Sequence, residues 1–178
     1  SSNENVLSNN LVVANNQGIS LNNSINNTLV NNTAGSNAEG IFLGMSRKNK
    51  LAYNIISKNG YGIRGQAAGS NFLVNNSLYL NDIGVYLIGS SNNTLYENEF
   101  INFLNAVDEG NNVWNSSSTG NFWNDYNGTD ADGNGIGDTP YVVNETTGSI
   151  DYLPLANNLS SGENQENMSG NNSTETSQ

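Results

Sequence analysis

The chain has 178 residues, 35% of them hydrophobic, a mean hydropathy of −0.51, and neither cysteine nor histidine. Sixteen acidic against five basic residues give a formal net charge of −11, which argues against nucleic acid and anionic membrane surfaces as partners, because both need a stripe or patch of Lys and Arg. Disulfides and thiolate metal sites are excluded, and no run of about 18 apolar residues is present to span a bilayer.

From Asn5 to Glu109 one pattern returns every 22 residues. Leu7, Leu29, Leu51, Leu73 and Leu95 stand in register, as do Asn10, Asn32, Asn54, Asn76 and Asn98. A second asparagine series runs from Asn5 through Asn27, Asn49, Asn71 and Asn93 to Asn115. A third runs from Asn15 through Asn37 and Asn59 to Asn81, where Phe103 ends it. Gly18, Gly40, Gly62 and Gly84 lead to Ala106, and each is followed by Ile or Val. A disordered Asn-rich tract would not hold five apolar registers in step, so the repeat signals a solenoid.

Within a coil the apolar residues alternate over short groups, as in Ile41-Phe42-Leu43 and Val85-Tyr86-Leu87, which is strand periodicity. Three such groups per coil, joined by Asn- and Gly-rich bends, predict an all-β parallel β-helix with three short strands per 22-residue coil over residues 1–112. Asparagine supplies 39 of the 178 residues. It is depleted in strands but suits bends, and stacked Asn side chains can pass amide hydrogen bonds from coil to coil, so the registers predict inward Asn ladders. The glycine series predicts a bend that needs positive φ or a close backbone approach.

After Glu109 the registers fail. Residues 113–156 concentrate Trp114, Phe122, Trp123, Tyr126, Pro140, Tyr141, Tyr152 and Pro154, as expected of an aromatic C-terminal cap that covers the open core and strand edges of a solenoid end. Within it, Asp130-Ala-Asp-Gly-Asn-Gly-Ile-Gly-Asp138 carries the first part of an EF-hand-type loop. Asp130, Asp132, Asn134, the backbone carbonyl of Ile136, and Asp138 would converge on one cation. Oxygen ligands alone select Ca²⁺. Position 12 is Tyr141 instead of Glu, so a further ligand would come from Asp125 or Asp151. Residues 157–178, rich in Asn, Ser and Glu, read as a flexible linker to a continuing chain, and the absence of a start Met fits a mature or excised segment.

The acids of the coils, Glu39, Asp82, Glu97, Glu99, Asp108 and Glu109, form no catalytic constellation, so a non-enzymatic module is expected. The outward column Ser20, Phe42, Arg64, Tyr86, Asp108 places an aromatic on each side of Arg64, a candidate ligand site at Phe42, Arg64 and Tyr86. All five cations, Arg47, Lys48, Lys50, Lys58 and Arg64, fall in one coil and its flanks, a solvated face or a binding site for an anionic sugar or a neighbouring subunit. Asn-X-Ser/Thr sequons at Asn22, Asn26, Asn31, Asn75, Asn92, Asn115, Asn127, Asn144, Asn158, Asn167, Asn171 and Asn172 are glycosylation candidates on an exported chain.

The coil pattern, as in Asn-Asn-Thr-Leu-Val-Asn-Asn (26–32) and Asn-Asp-Ile-Gly-Val-Tyr-Leu (81–87), resembles the right-handed parallel β-helix repeats of the NosD-like, carbohydrate-binding and sugar-hydrolase group. Gly-Asn-Phe-Trp-Asn-Asp-Tyr (120–126), the loop at 128–141 and Ile-Asp-Tyr-Leu-Pro-Leu (150–155) resemble the closing segment of such domains in archaeal cell-surface proteins. The resemblance implies right-handedness, export and a cell-surface setting. The resulting expectation is an extracellular structural or adhesive module, a spacer, surface-layer or filament block stabilised by Ca²⁺. It would associate with itself through its first coil, or with other surface proteins or a glycan. The alternative is a domain that binds or cleaves polysaccharides.

Overall fold

The computed structural model describes residues 1–157. The expected linker lies outside the described residues except for Asn157, as do the sequons from Asn158 onward. From Val6 the chain winds as a parallel β-helix, each coil giving one strand to each of three sheets. Sheet A stacks Val6–Ser8, Thr28–Val30, Lys50–Ala52, Phe72–Val74 and Thr94–Tyr96. Sheet B stacks Leu11–Val13, Thr33–Gly35, Ile55–Ser57, Ser77–Tyr79, Glu99–Ile101 and finally Phe122–Trp123. The longer strands of sheet C are Gln17–Asn22, Glu39–Gly44, Tyr61–Gln66, Ile83–Ile88 and Leu104–Asp108.

The leucine register pairs across sheet A, Leu7 with Leu29, Leu29 with Leu51, and on to Leu95. Leu29, Leu51 and Leu95 meet Ile56, Leu78 and Phe100 from sheet B and Ile41, Ile63 and Val85 from sheet C, all at most 1% exposed. Burial of each such side chain stabilises the coil by about 1.5–3 kcal/mol.

Each coil turns through left-handed residues: in the second, Asn23, Asn26, Asn31 and Ser36 have φ of 50°, 58°, 55° and 54°. The residue after each left-handed corner points inward and carries the ladder: Ser24, Asn27, Asn32 and Asn37, all buried. Asn54 shows the complete rung. Its Oδ1 accepts from the N–H and Nδ2 of Asn32, both at 3.0 Å. Its Nδ2 donates to the Leu29 carbonyl at 3.0 Å and to Asn76 Oδ1 at 2.9 Å, and its own N–H reaches the same Oδ1 at 3.0 Å. Every polar atom of a buried amide is thus satisfied, the condition under which a polar core is tolerated. A fourth, serine column at Ser24, Ser46 and Ser90 plays the same part, with Ser46 Oγ accepting the Ser24 N–H at 3.0 Å and Ser90 Oγ that of Ala68 at 3.0 Å.

The glycine series answers to close approach. A Cβ on Gly62 would stand 2.5 Å from the Gly84 carbonyl oxygen and 3.1 Å from Asn81 Nδ2.

The fifth coil departs from the strict step of 22. Ile83 pairs with Leu104 and Leu87 with Asp108, a step of 21. The ladder through Asn81 therefore continues into Asn102 at 2.8 Å, and from there into Asn105, instead of ending at Phe103. An apolar ring cannot close an amide ladder, and Phe103 is expelled to 94% exposure. Likewise the series from Asn5 ends on Asn112, whose Oδ1 accepts from Asn93 Nδ2 at 2.8 Å, and not on Asn115. The outward column through Arg64 and Tyr86 consequently ends at Val107, while Asp108 falls in the inward column below Leu87.

Beyond the coils, Phe122–Trp123 lengthens sheet B, and the hairpin Tyr141–Asn144 with Ser149–Asp151 folds across the end. Trp123 stacks between Phe100 and Tyr141, with ring centroids 4.5 and 4.2 Å away, and Trp114 packs 5.5 Å from Trp123. Both indoles are buried, so the hydrophobic core ends on aromatic rings.

Candidate functional site

The asparagine ladders have a direction, because each Asn donates its N–H and Nδ2 to the Oδ1 of the next coil. At the C-terminal end each ladder delivers its last amide to a carboxylate. Asn112 Nδ2 reaches Asp108 Oδ1 at 2.7 Å, Asn121 donates its N–H to Asp151 Oδ2 at 2.7 Å, and Asn105 Nδ2 reaches Asp125 Oδ1 at 2.8 Å. The carboxyl oxygens accept these bonds, which is what the end of a run of donors requires. Asp108 also takes the Gly110 N–H, Trp114 Nε1 and Ser149 Oγ. Burial pushes the Asp151 carboxyl above its ordinary value, against the opposing pull of Trp123 Nε1 and the amides of Asn121 and Leu153. Tyr141, half-buried and donating to Asp125 at 3.0 Å, has its phenol pushed up by burial and then by that carboxylate. Asp151 and Asp125 stand 30 and 20 residues from the asparagines they receive, Asn121 and Asn105, whereas Asp108 stands four from Asn112.

The loop from Asp130 to Asp138 is pinned to the final strand segment. Gly137 donates to the Pro154 carbonyl at 2.7 Å, Ala156 to that of Gly135 at 3.0 Å, and Ile136 bridges Leu155. Its oxygens turn toward the loop's own amides. Asp130 accepts from the N–H groups of Asn134 and Gly135 at 3.1 and 2.9 Å, Asp132 from Asn134 at 3.2 Å, and Asp138 from Ala131 at 3.0 Å. Asn134 Oδ1 accepts the Ile136 N–H at 2.8 Å. Gly133 and Gly135 take φ of 71° and 87°, the tight turns that the glycines make possible. Among the described residues no three His, Cys, Asp or Glu side chains gather closely enough to hold a metal by themselves. Asp151 is committed to the ladder end and Asp125 to Tyr141 and Asn105.

On sheet C, Phe42, Arg64 and Tyr86 are neighbours in one column, and the structure adds Tyr61, Glu39 and Gln17. The Arg64 guanidinium pairs with Glu39, which also accepts from Gln17 at 2.7 Å. Its carbon lies 5.5 Å from the Tyr61 ring and 6.0 Å from that of Phe42, and Tyr61 packs on Tyr86 at 5.4 Å. The ion pair neutralises Arg64, whose guanidinium lies over the Phe42 and Tyr61 rings. Of the other coil acids, Glu97 accepts from Asn75 Nδ2 at 2.9 Å and Glu99 is buried beside the last rung.

The sequons sort by geometry. Asn22, Asn26, Asn31, Asn92 and Asn127 are exposed. Asn75, Asn115 and Asn144 spend their amides on Glu97, the Ser116 carbonyl and the Asp108 carbonyl.

Three parallel sheets, inward Asn and Ser ladders and a core of stacked aliphatic side chains define a single-chain parallel β-helix. The chain belongs to the NosD family, described as periplasmic copper-binding protein, which matches residues 1–128. No curated protein matches it.

Proposed function

We propose that the chain is a rigid structural module acting outside the cytoplasm, a spacer or building block that pairs through its first coil and whose cap is pinned by Ca²⁺. The family's periplasmic description is compatible with that location. What carries the reading is the inequality of the two ends. At the last coil the core is sealed by Trp114 and Trp123 and the ladders stop on carboxylates. At the first coil the inward-facing Leu7 and Val12 are only half-buried, where their equivalents one coil on, Leu29 and Ala34, are fully buried, and an open cleft of about 510 Å³ lies over Leu7, Val12 and Ile19. Strand edges and apolar side chains presented together favour strand addition. With the far end closed, two copies meet first coil to first coil, about a two-fold axis.

The family's copper does not suit this chain. Copper sites draw on imidazole and soft sulfur, whereas the chain has no His or Cys and, among the described residues, only Met45, exposed at a left-handed corner. The cap loop instead offers hard oxygens, which fit Ca²⁺. Asp130, Asp132, Asn134, the Ile136 carbonyl and Asp138 would hold it, and it would tie the loop to the final strand segment.

Light scattering over a range of concentrations tests the pairing. The wild-type mass is expected to double, and the variant V6D/L11D, altered only at exposed positions, to stay monomeric. A wild-type chain that remains monomeric at high concentration overturns the reading.

A further inference from the structure

We infer that the corner carrying Arg47, Lys48 and Lys50 is a docking site for a carboxylated polysaccharide. All three side chains are exposed, and all belong to the third coil. Arg64 has its ion pair with Glu39, but among the described residues no acid pairs with Arg47, Lys48 or Lys50. On a chain of net charge −11, three cations left uncompensated side by side make a local positive field within an otherwise repulsive surface.

The repeat builds a trough next to them. In Arg47's column the following coils place Gly69 and then Ser91, and the neighbouring corner positions hold Ser70 and Asn92, with Gly89 in the next column. Small residues at successive corners leave an open cleft of about 200 Å³ with Arg47 at one end and Gly69, Ser70, Gly89, Ser91 and Asn92 along it. Ser70 and Asn92 spend no side-chain polar atom on other described residues, so their hydroxyl and amide face the cleft unused.

The lining selects the occupant. A protein partner would be held by aromatic or large aliphatic anchors in a dry pocket, and this trough has none. A nucleic acid needs a longer cationic stripe and rings on which bases stack. A sugar chain needs what is present: hydroxyl and amide partners along a wet trough, and a forked guanidinium for a carboxylate at its end, with Lys48 and Lys50 adding charge. This attachment rests on the extracellular reading above and is independent of pairing through the first coil.

The test titrates the full chain with polygalacturonate, dextran sulfate, neutral dextran, polyglutamate and single-stranded DNA, by calorimetry at low and raised ionic strength. Polygalacturonate is expected to bind, more weakly as salt screens the corner. Arg47→Ala should lower its affinity about tenfold or more, the worth of a charge-assisted hydrogen bond. Lys58→Glu, on another corner, should change it little. Gly89→Asp should also weaken binding without loss of melting temperature, because Asp tolerates the left-handed φ of 54° there and a Cβ meets nothing within 4 Å. Failure of polygalacturonate to bind, or binding untouched by Arg47→Ala, overturns the inference. Equal or tighter binding of dextran sulfate, polyglutamate or DNA overturns the carboxylated-sugar assignment. Light scattering of the same samples reports pairing separately, so one reading can fail while the other stands.

Discussion

Trp123 donates its indole N–H to Asp151 at 3.0 Å, and the same carboxylate receives the last rung of an asparagine ladder from Asn121. Trp114 and Asp108 repeat the arrangement at 2.9 Å, with Asn112 as the last rung. One buried aspartate therefore ends a polar column and orients the ring that ends the apolar core. Coil and cap become one cooperative unit at these two points.

Replacing Asp151 by Asn keeps one oxygen for Trp123 and Asn121 but turns an amide N–H₂ against the Leu153 N–H, which now bonds the carboxylate at 3.1 Å. The expected loss is about 1–3 kcal/mol, the cost of one unsatisfied buried donor. Asp151→Ala leaves all of these donors without their acceptor and costs more. Thermal denaturation followed by Trp fluorescence should rank wild type above Asn above Ala. Equal stability of the three would show that the carboxylate does not close the ladder.

Asp151 also has a pH signature of unusual sign. Burial is the leading cause of its upward shift from 3.8, so above that value the folded chain holds a proton that the unfolded chain has released. Its contribution to stability is therefore present at lower pH and is lost as pH rises through the raised folded value. Stability of the wild type relative to Asp151→Asn is expected to fall across that window. A difference that is flat, or that rises with pH, contradicts the shift.

A mid-ladder rung offers the cleanest measure of the polar core. Asn54→Ala leaves the N–H and Nδ2 of Asn32 and the Leu29 carbonyl without the partners they have at about 3.0 Å. At about 1–3 kcal/mol per stranded buried group, the total is expected to exceed the about 2–5 kcal/mol of Leu51→Ala in the adjacent apolar column. Urea denaturation of the two variants decides the order. A smaller loss for Asn54→Ala would mean that water enters the rung.

The coils were legible in the sequence because a solenoid repeats its environments: whatever residue suits one Asn or Leu position suits the next. The step from Asn81 to Phe103 misleads for the same reason. Gly84-Val85 is followed, 22 residues on, by Ala106-Val107, two small-then-branched pairs that fit either register. The actual step of 21 is decided by Asn102 entering the ladder. The serine column at Ser24, Ser46 and Ser90 had the same period but is interrupted at Ala68. The ladder ends were not legible, because Asn121 and Asp151 are 30 residues apart and meet only through the hairpin. At the Phe42, Arg64 and Tyr86 column the sequence pattern placed the side chains together, but it held no sign that Glu39, a full coil earlier, pairs with Arg64.

The cap loop yields the last prediction. Its acidic oxygens already bond loop amides, as Asp130 does with Gly135 at 2.9 Å, so the turn is formed before any cation arrives and little ordering entropy opposes binding. Gly137 and Gly135 tie the loop to Pro154 and Ala156, hence a cation held there would stabilise the same segment that delivers Asp151 to the core. Calcium at a hundred times its dissociation constant would add about 2.7 kcal/mol, seen as a higher melting temperature than in chelator. Asp132→Ala, at an exposed position, should abolish the difference while leaving the chelated melting temperature nearly unchanged. A wild-type chain whose melting temperature is the same in calcium and in chelator, and which retains no cation by calorimetry, would leave the loop as a turn closed by its own amides.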